Sequence, residues 1–291
     1  IITSGAVFGL TAYVKEISYF TYLKNRVIRL LAPTWGFLAM FFVLSYIIYF
    51  IAGKPYPFST RIILTNLLLH GQVGSLWIIQ VFLLVAVTAP LLANLRRFLK
   101  TTSKFLTALM VFYFLYELLY YFYGEANIDR PFDSLIKDYF FYMLPYSCIF
   151  GLGLCLPSMN KKLFFLISAS CFIVFVWMAL SSGHFVQTQL YKYPPRIYYL
   201  SYATFSSLYL FAIFRNVVVT NVIIRRLIAF VSRESLWIYF WHYFFIYYFT
   251  RCYIFLPKWM NDFAFKFFII LLLSAATTYI QQHIIARLKY E

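Results

Sequence analysis

Lys24, Arg26 and Arg29 stand at spacings of two and three in Tyr22-Leu23-Lys24-Asn25-Arg26-Val27-Ile28-Arg29, just before a long apolar run. On a helix, Arg26 and Arg29 share one face. Two guanidinium groups on one face are planar, permanently charged donors, the chemistry that grips a phosphate-bearing ligand. The same cluster at the edge of a membrane span also serves as a topology signal, and most juxtamembrane basic clusters do no more than that. Both readings stand at this point.

Other polar residues are informative because each is costly inside an apolar segment. Glu117 sits among aromatics in Tyr113-Phe114-Leu115-Tyr116-Glu117-Leu118-Leu119-Tyr120. It is either a paired or protonated structural acid, or a base or substrate contact. His242 lies in Trp241-His242-Tyr243 within an aromatic helix. A lone histidine there is more often a hydrogen-bonded core residue than a catalyst. His70, His184 and His283 carry no motif that singles them out. Lys192-Tyr193-Pro194-Pro195-Arg196 is a stiff basic corner ahead of a span, and its prolines favour extended backbone. The bland reading of that corner is a loop-to-helix junction. No catalytic Ser/His/Asp motif, P-loop, dinucleotide fingerprint or zinc-protease motif occurs.

The elements that hold these residues follow from composition. The chain of 291 residues is 63% hydrophobic and 12% charged, where a soluble domain carries about 25% charged residues. That implies an all-α, polytopic transmembrane helical bundle, forming a single integral-membrane domain over residues 1–291. The net charge of +16 fits basic loops facing anionic lipid rather than nucleic acid. Cys148, Cys155 and Cys171 fall in apolar runs and Cys252 stands apart. Cys148 and Cys155 are seven positions apart, too far along a helix for a disulfide, so they read as buried thiols. No metal-ligand spacing is present.

From Leu30 to Gly53 there are 24 residues without a charge, enough to cross a bilayer core, which needs about 20. Residues 1–12 read as the tail of a span and 13–29 as a basic loop. Ile62–Leu95 is uncharged for 34 residues, roughly 51 Å as a helix and too long for one crossing. Gly71 and Gly74 split it into a short interfacial or re-entrant piece at 62–73 and a span at 75–95. Further spans are expected at 105–123, 139–158, 163–182, 197–214, 234–252 and 266–286. That makes eight complete spans and a partial one. With Lys24–Arg29 placed in the cytoplasm, alternate connections hold 16 of the 25 Lys and Arg residues. Net charge is then +13 on that side and +3 on the other, as the positive-inside rule requires. The chain opens on Ile1 in an already apolar stretch without a preceding basic region. The expectation is a chain that begins inside a membrane span.

Five segments, in order, carry a resemblance. They are Ile2-Thr3-Ser4-Gly5; Arg26-Val27-Ile28-Arg29 followed by Leu30-Leu31-Ala32-Pro33; Leu76-Trp77-Ile78 with Pro90; Lys192-Tyr193-Pro194-Pro195-Arg196; and Ser235-Leu236-Trp237-Ile238-Tyr239-Phe240-Trp241-His242. Together they resemble the membrane-bound acyltransferase family 3, which includes bacterial O-acetyltransferases of surface polysaccharides. The resemblance implies ten spans in the full-length protein and a multi-pass location in a bacterial inner membrane. It implies transfer of an acyl group, usually acetyl, from acyl-CoA to a hydroxyl of a cell-surface polysaccharide or its precursor. Acetyl-CoA is then a co-substrate, with no bound cofactor or metal. The partners are acyl-CoA, a glycan or lipid-linked glycan acceptor and membrane lipids, with no nucleic acid.

The resemblance gives Arg26 and Arg29 the donor site. Glu117, His242, Trp77, Tyr239, Lys192 and Arg196 become supporting residues; aromatic rings such as Trp77 and Tyr239 also suit sugar stacking. It places the catalytic histidine in a first span upstream of Ile1, matched by none of the four histidines here, so these residues alone are expected to be inactive. Ile79-Gln80-Val81-Phe82 departs from the acid-rich run that many members carry after the tryptophan. A polytopic transporter or flippase, or a non-catalytic partner in exopolysaccharide synthesis, is the alternative. Against transport, no inverted repeat or matched pair of broken spans is visible.

Overall fold

The computed structural model describes residues 1–12, 18–70, 73, 76–125, 133, 136–181, 183, 185–252 and 262–288. Eleven α-helices occur among them: α1 Ile2–Ala12, α2 Tyr19–Ile51, α3 Thr60–Leu67, α4 Trp77–Leu99, α5 Thr102–Glu125, α6 Phe141–Cys155, α7 Lys161–Ser181, α8 Ile197–Phe214, α9 Val222–Arg233, α10 Ser235–Cys252 and α11 Phe263–Leu288. Short helical turns at Ile136–Phe140, Leu156–Ser158 and Thr188–Tyr191 complete the secondary structure. No strand occurs among the described residues. The glycine break at Gly71 and Gly74, and His184, lie outside them.

Seven helices among the described residues are long and apolar enough to cross a membrane: α2, α4, α5, α6 with its following turn, α7, α8 and α11. The protein is therefore a multi-pass helical membrane protein. Eight complete spans were expected. The eighth, α10, forms as a helix of 18 residues but falls short of the same apolarity. Its tyrosines, His242 and Arg251 explain the shortfall. Some of that polarity is matched internally: Trp241 donates to Gln281 Oε1 at 2.6 Å and the Tyr248 hydroxyl to Ser45 Oγ at 2.7 Å.

Three further expectations are corrected. The basic stretch before Leu30 is not a loop throughout, because α2 begins at Tyr19 and carries Lys24, Arg26 and Arg29 on its first turns. Arg96 and Arg97 close α4 and Lys104 lies in α5, leaving Lys100 and Thr101 between the two helices. Residues 215–233, expected as a connection, contain helix α9. In the first two cases a charged segment adjoining an apolar run continues the helix past that run, and in the third it forms a helix of its own.

The chain divides into two compact units. One comprises Ile1–Val27 and Ile79–Val217, the other Ile28–Ile78 and Val218–Glu291. In the first, α1 crosses α6 at glycines. A Cβ on Gly5 would overlap the Phe150 carbonyl oxygen, and one on Gly153 would overlap that of Ile2. Bare backbone is what lets two helices approach this closely. Phe8 packs its ring 5.0 Å from Tyr22 and 5.7 Å from Phe150. The Tyr19 hydroxyl donates to the Val87 carbonyl, tying the start of α2 to the middle of α4. Thr88 and Ser147 hydroxyls, 2.6 Å apart, join α4 to α6. Cys148, Cys155 and Cys171 are free thiols.

In the second unit, α2 and α10 run parallel in a fixed register. Phe37 stacks on Phe240 at 4.7 Å, Phe41 meets Phe244 and Ser45 accepts from Tyr248, each pair 203 positions apart. Aromatic rings fill this seam because Phe and Tyr bury large areas in stacked and edge-on arrangements. Extended backwards, the register sets Ser235, the start of α10, level with Ala32. Trp35 donates to the Leu67 carbonyl, and the fully buried Asn66 bonds Ile62 and Val73.

Candidate functional site

Arg26 and Arg29 lie three residues apart on α2, so the helix presents them on one face as the spacing required. The continuous helix sets the spacing of their backbone positions, which a loop would not. Arg26 is half-buried and Arg29 exposed. The Arg26 guanidinium lies 5.5 Å from the centre of the Tyr22 ring, one helical turn back, and Tyr22 is itself buried against Phe8. This stacking holds the charge without neutralising it. Two cations, Arg26 and Arg29, therefore stand three residues apart on one helical face, with no acidic partner among the described residues.

A second cluster uses its charges differently. Glu117, two turns before the end of α5, accepts from the Tyr113 hydroxyl at 2.6 Å, from Arg196 Nε at 2.9 Å and from the Ile197 backbone N–H at 3.0 Å. Arg196 is the N-cap of α8 and supplies no side-chain cap of its own. The carboxylate from α5 fills that role, opposite the positive end of the α8 dipole. The Arg196 guanidinium also lies 4.3 Å from the Tyr120 ring centre. The fully buried Tyr116 donates to the Pro195 carbonyl at 2.8 Å. Both Glu117 oxygens and the Arg196 Nε–H, costly in an apolar setting, have partners here. Lys192 lies 5.3 Å from the Tyr193 ring centre, and burial lowers its ammonium pKa from the ordinary value.

The structure brings together Glu117 and Arg196, two residues that the sequence singled out separately, 79 positions apart. Lys192 flanks the same corner. The remaining candidates stand elsewhere. Trp77 opens α4, and Tyr239 and His242 lie in the first half of α10. All three are half-buried.

One residue was missed as an organiser. Arg96, read as part of a basic loop, is buried and donates to the Leu154 carbonyl and to Ser158 Oγ. It caps the end of α6, where helix carbonyls lack internal partners and a cation is favoured. Only its place at the end of an uncharged run hinted at this role.

A family model described as an acyltransferase domain, acyltransferase family 3, matches residues 1–280. No curated protein and no solved structure matches the chain.

Proposed function

The chain belongs to acyltransferase family 3, and from that premise we propose that it transfers an acyl group, acetyl in the first instance, from acyl-CoA to a hydroxyl of a cell-surface polysaccharide or its precursor. The observation that carries the donor half is the Arg26–Arg29 face of α2, ordered on a helix and without an acidic partner among the described residues. CoA carries several phosphate charges, and guanidinium forks bind phosphate oxygens in pairs. The excess of Lys and Arg on one set of connections supports a cytoplasmic setting for that face, and the family resemblance is what suggests a bacterial inner membrane.

In the reaction, the acceptor oxygen attacks the thioester carbonyl, a new C–O bond forms, the C–S bond breaks and CoA leaves as a thiolate that takes up the proton the hydroxyl gave up. The proton of the hydroxyl passes to a base. Glu117 is not proposed as that base, because its carboxylate is committed to Arg196, Tyr113 and Ile197. Trp77 and Tyr239 are proposed as flat surfaces for the acceptor sugar, and His242 as a group orienting it.

The test is transfer from labelled acetyl-CoA to a glycan acceptor in membranes carrying the full-length protein or its Arg26→Ala/Arg29→Ala variant. The apparent KM for the donor should rise about tenfold or more, since each hydrogen bond to a charged group is worth about 1.5–3 kcal/mol. An unchanged KM would remove the donor site from α2. Acceptor movement across vesicles without consumption of acetyl-CoA would replace transfer by transport.

A further inference from the structure

Helix α9 is the strongest feature that acyl transfer does not use. It runs Val222–Arg233, and the Asn221 side chain caps it by accepting from the Ile223 and Ile224 backbone N–H groups. At 100° per residue, Ile223, Phe230, Leu227, Val231, Ile224 and Ile228 fall on one broad side. Arg226, Arg233, Ala229, Ser232 and Arg225 fall on the other, together with Val222 at the first position. The apolar side is not spent on the fold: Ile223 is 69% exposed and Leu227 58%. Of the apolar set, Phe230 alone turns inward, its ring 5.9 Å from that of Tyr279 on α11.

What covers this face follows from charge and from where the helix is tethered. Arg233 is engaged by its neighbour Glu234 at 2.7 Å. Arg225 and Arg226 are exposed and have no acidic partner among the described residues. They flank the apolar side, where long basic side chains extend to lipid headgroups while the apolar residues sink below them. The tether gives the level. Glu234 separates α9 from α10. The α2–α10 register sets Ser235 level with Ala32, so the uncharged runs that begin at Leu30 and Ser235 start in one layer. Phe230 meets α11 nine residues before Leu288, where α11 ends. The junction at Glu234 therefore sets the C-terminal end of α9 at the edge of the apolar layer, and Phe230 holds the helix against α11.

We propose that α9 lies in the plane of the membrane surface and binds anionic phospholipid, its isoleucines and leucine among the upper acyl chains and Arg225 and Arg226 on headgroup phosphates. The helix is an anchor that ties the protein's position to the charge of one leaflet, independent of the acyl-transfer chemistry. Anionic lipid attracts each basic residue near the surface enough to change occupancy roughly fivefold.

Hydrogen–deuterium exchange of the protein in lipid nanodiscs tests this. Amides of α9 should exchange at least about tenfold more slowly in discs containing phosphatidylglycerol than in discs of phosphatidylcholine alone, two arginines contributing together. The Arg225→Gln/Arg226→Gln variant should lose that difference, while α8 and α10 exchange as in the parent, showing that the variant is folded. Equal exchange in the two lipids, which needs no variant, would overturn the proposal. So would protection confined to discs that hold two copies, which would make α9 a contact between copies instead.

Discussion

The arginine face of α2 and the corner where α5 meets α8 contain the same guanidinium group in opposite states. Arg196 is held by a carboxylate at 2.9 Å and by the Tyr120 ring. Arg26 lies against the Tyr22 ring with no acidic partner among the described residues, and Arg29 is exposed. Removing charges from water is costly unless they are paired, and a paired charge has little attraction left for a ligand. Arg196 is thus a charge used to build the bundle, whereas the proposed function assigns Arg26 and Arg29 to the donor.

Glu117→Ala should have the largest effect on the fold. It strips Arg196 of its counter-charge and the Ile197 N–H and Tyr113 hydroxyl of their acceptor. A loss of about 2–3 kcal/mol follows from hydrogen bonds to a charged group, read as a lowered Tm in detergent, with Glu117→Gln losing less. If Glu117→Ala kept its Tm and lost transfer instead, the corner would be a site and the contrast would fail.

Arg26→Ala/Arg29→Ala should do the reverse. Its unfolding free energy should stay within about 1 kcal/mol of the parent, the value of a ring–cation contact, with little change in Tm, while donor affinity falls. A Tm drop as large as that of Glu117→Ala would mean that these arginines also serve the fold.

Salt sharpens the distinction more gently. The screening length shrinks from about 10 Å at 0.1 M to about 3 Å at 1 M. Added sodium chloride should raise the donor KM severalfold and leave the Tm of the parent nearly unchanged, because the Glu117 carboxylate is mostly shielded from solvent. The smallest effect is expected for Tyr120→Leu, which removes the ring beside Arg196 and costs about 0.5–1 kcal/mol in thermal unfolding.

Much of this architecture was legible. Uncharged runs gave the membrane helices, because length and apolarity decide crossing. Helix α10 was legible as a helix but not as an under-apolar one, because the partners of Trp241 and Tyr248 lie 40 and 203 positions away. The pairing of Glu117 with Arg196 was out of reach for the same reason. A single sequence shows that each residue is expensive, not which one compensates the other. Helix α9 is a different case. Its apolar residues at 223, 224, 227, 228, 230 and 231 carry a helical period, but counting its arginines as loop charge concealed the pattern. Arg26 and Arg29 were legible because their geometry is local: a spacing of three suffices once the segment is helical.

Equilibrium binding of labelled acetyl-CoA to the purified protein tests the central claim most directly, because it needs neither acceptor nor turnover. The parent and Glu117→Gln should bind with similar Kd, and Arg26→Ala/Arg29→Ala about tenfold or more weakly. Equal binding by all three, or loss confined to Glu117→Gln, would contradict the assignment of the donor to the arginine face of α2.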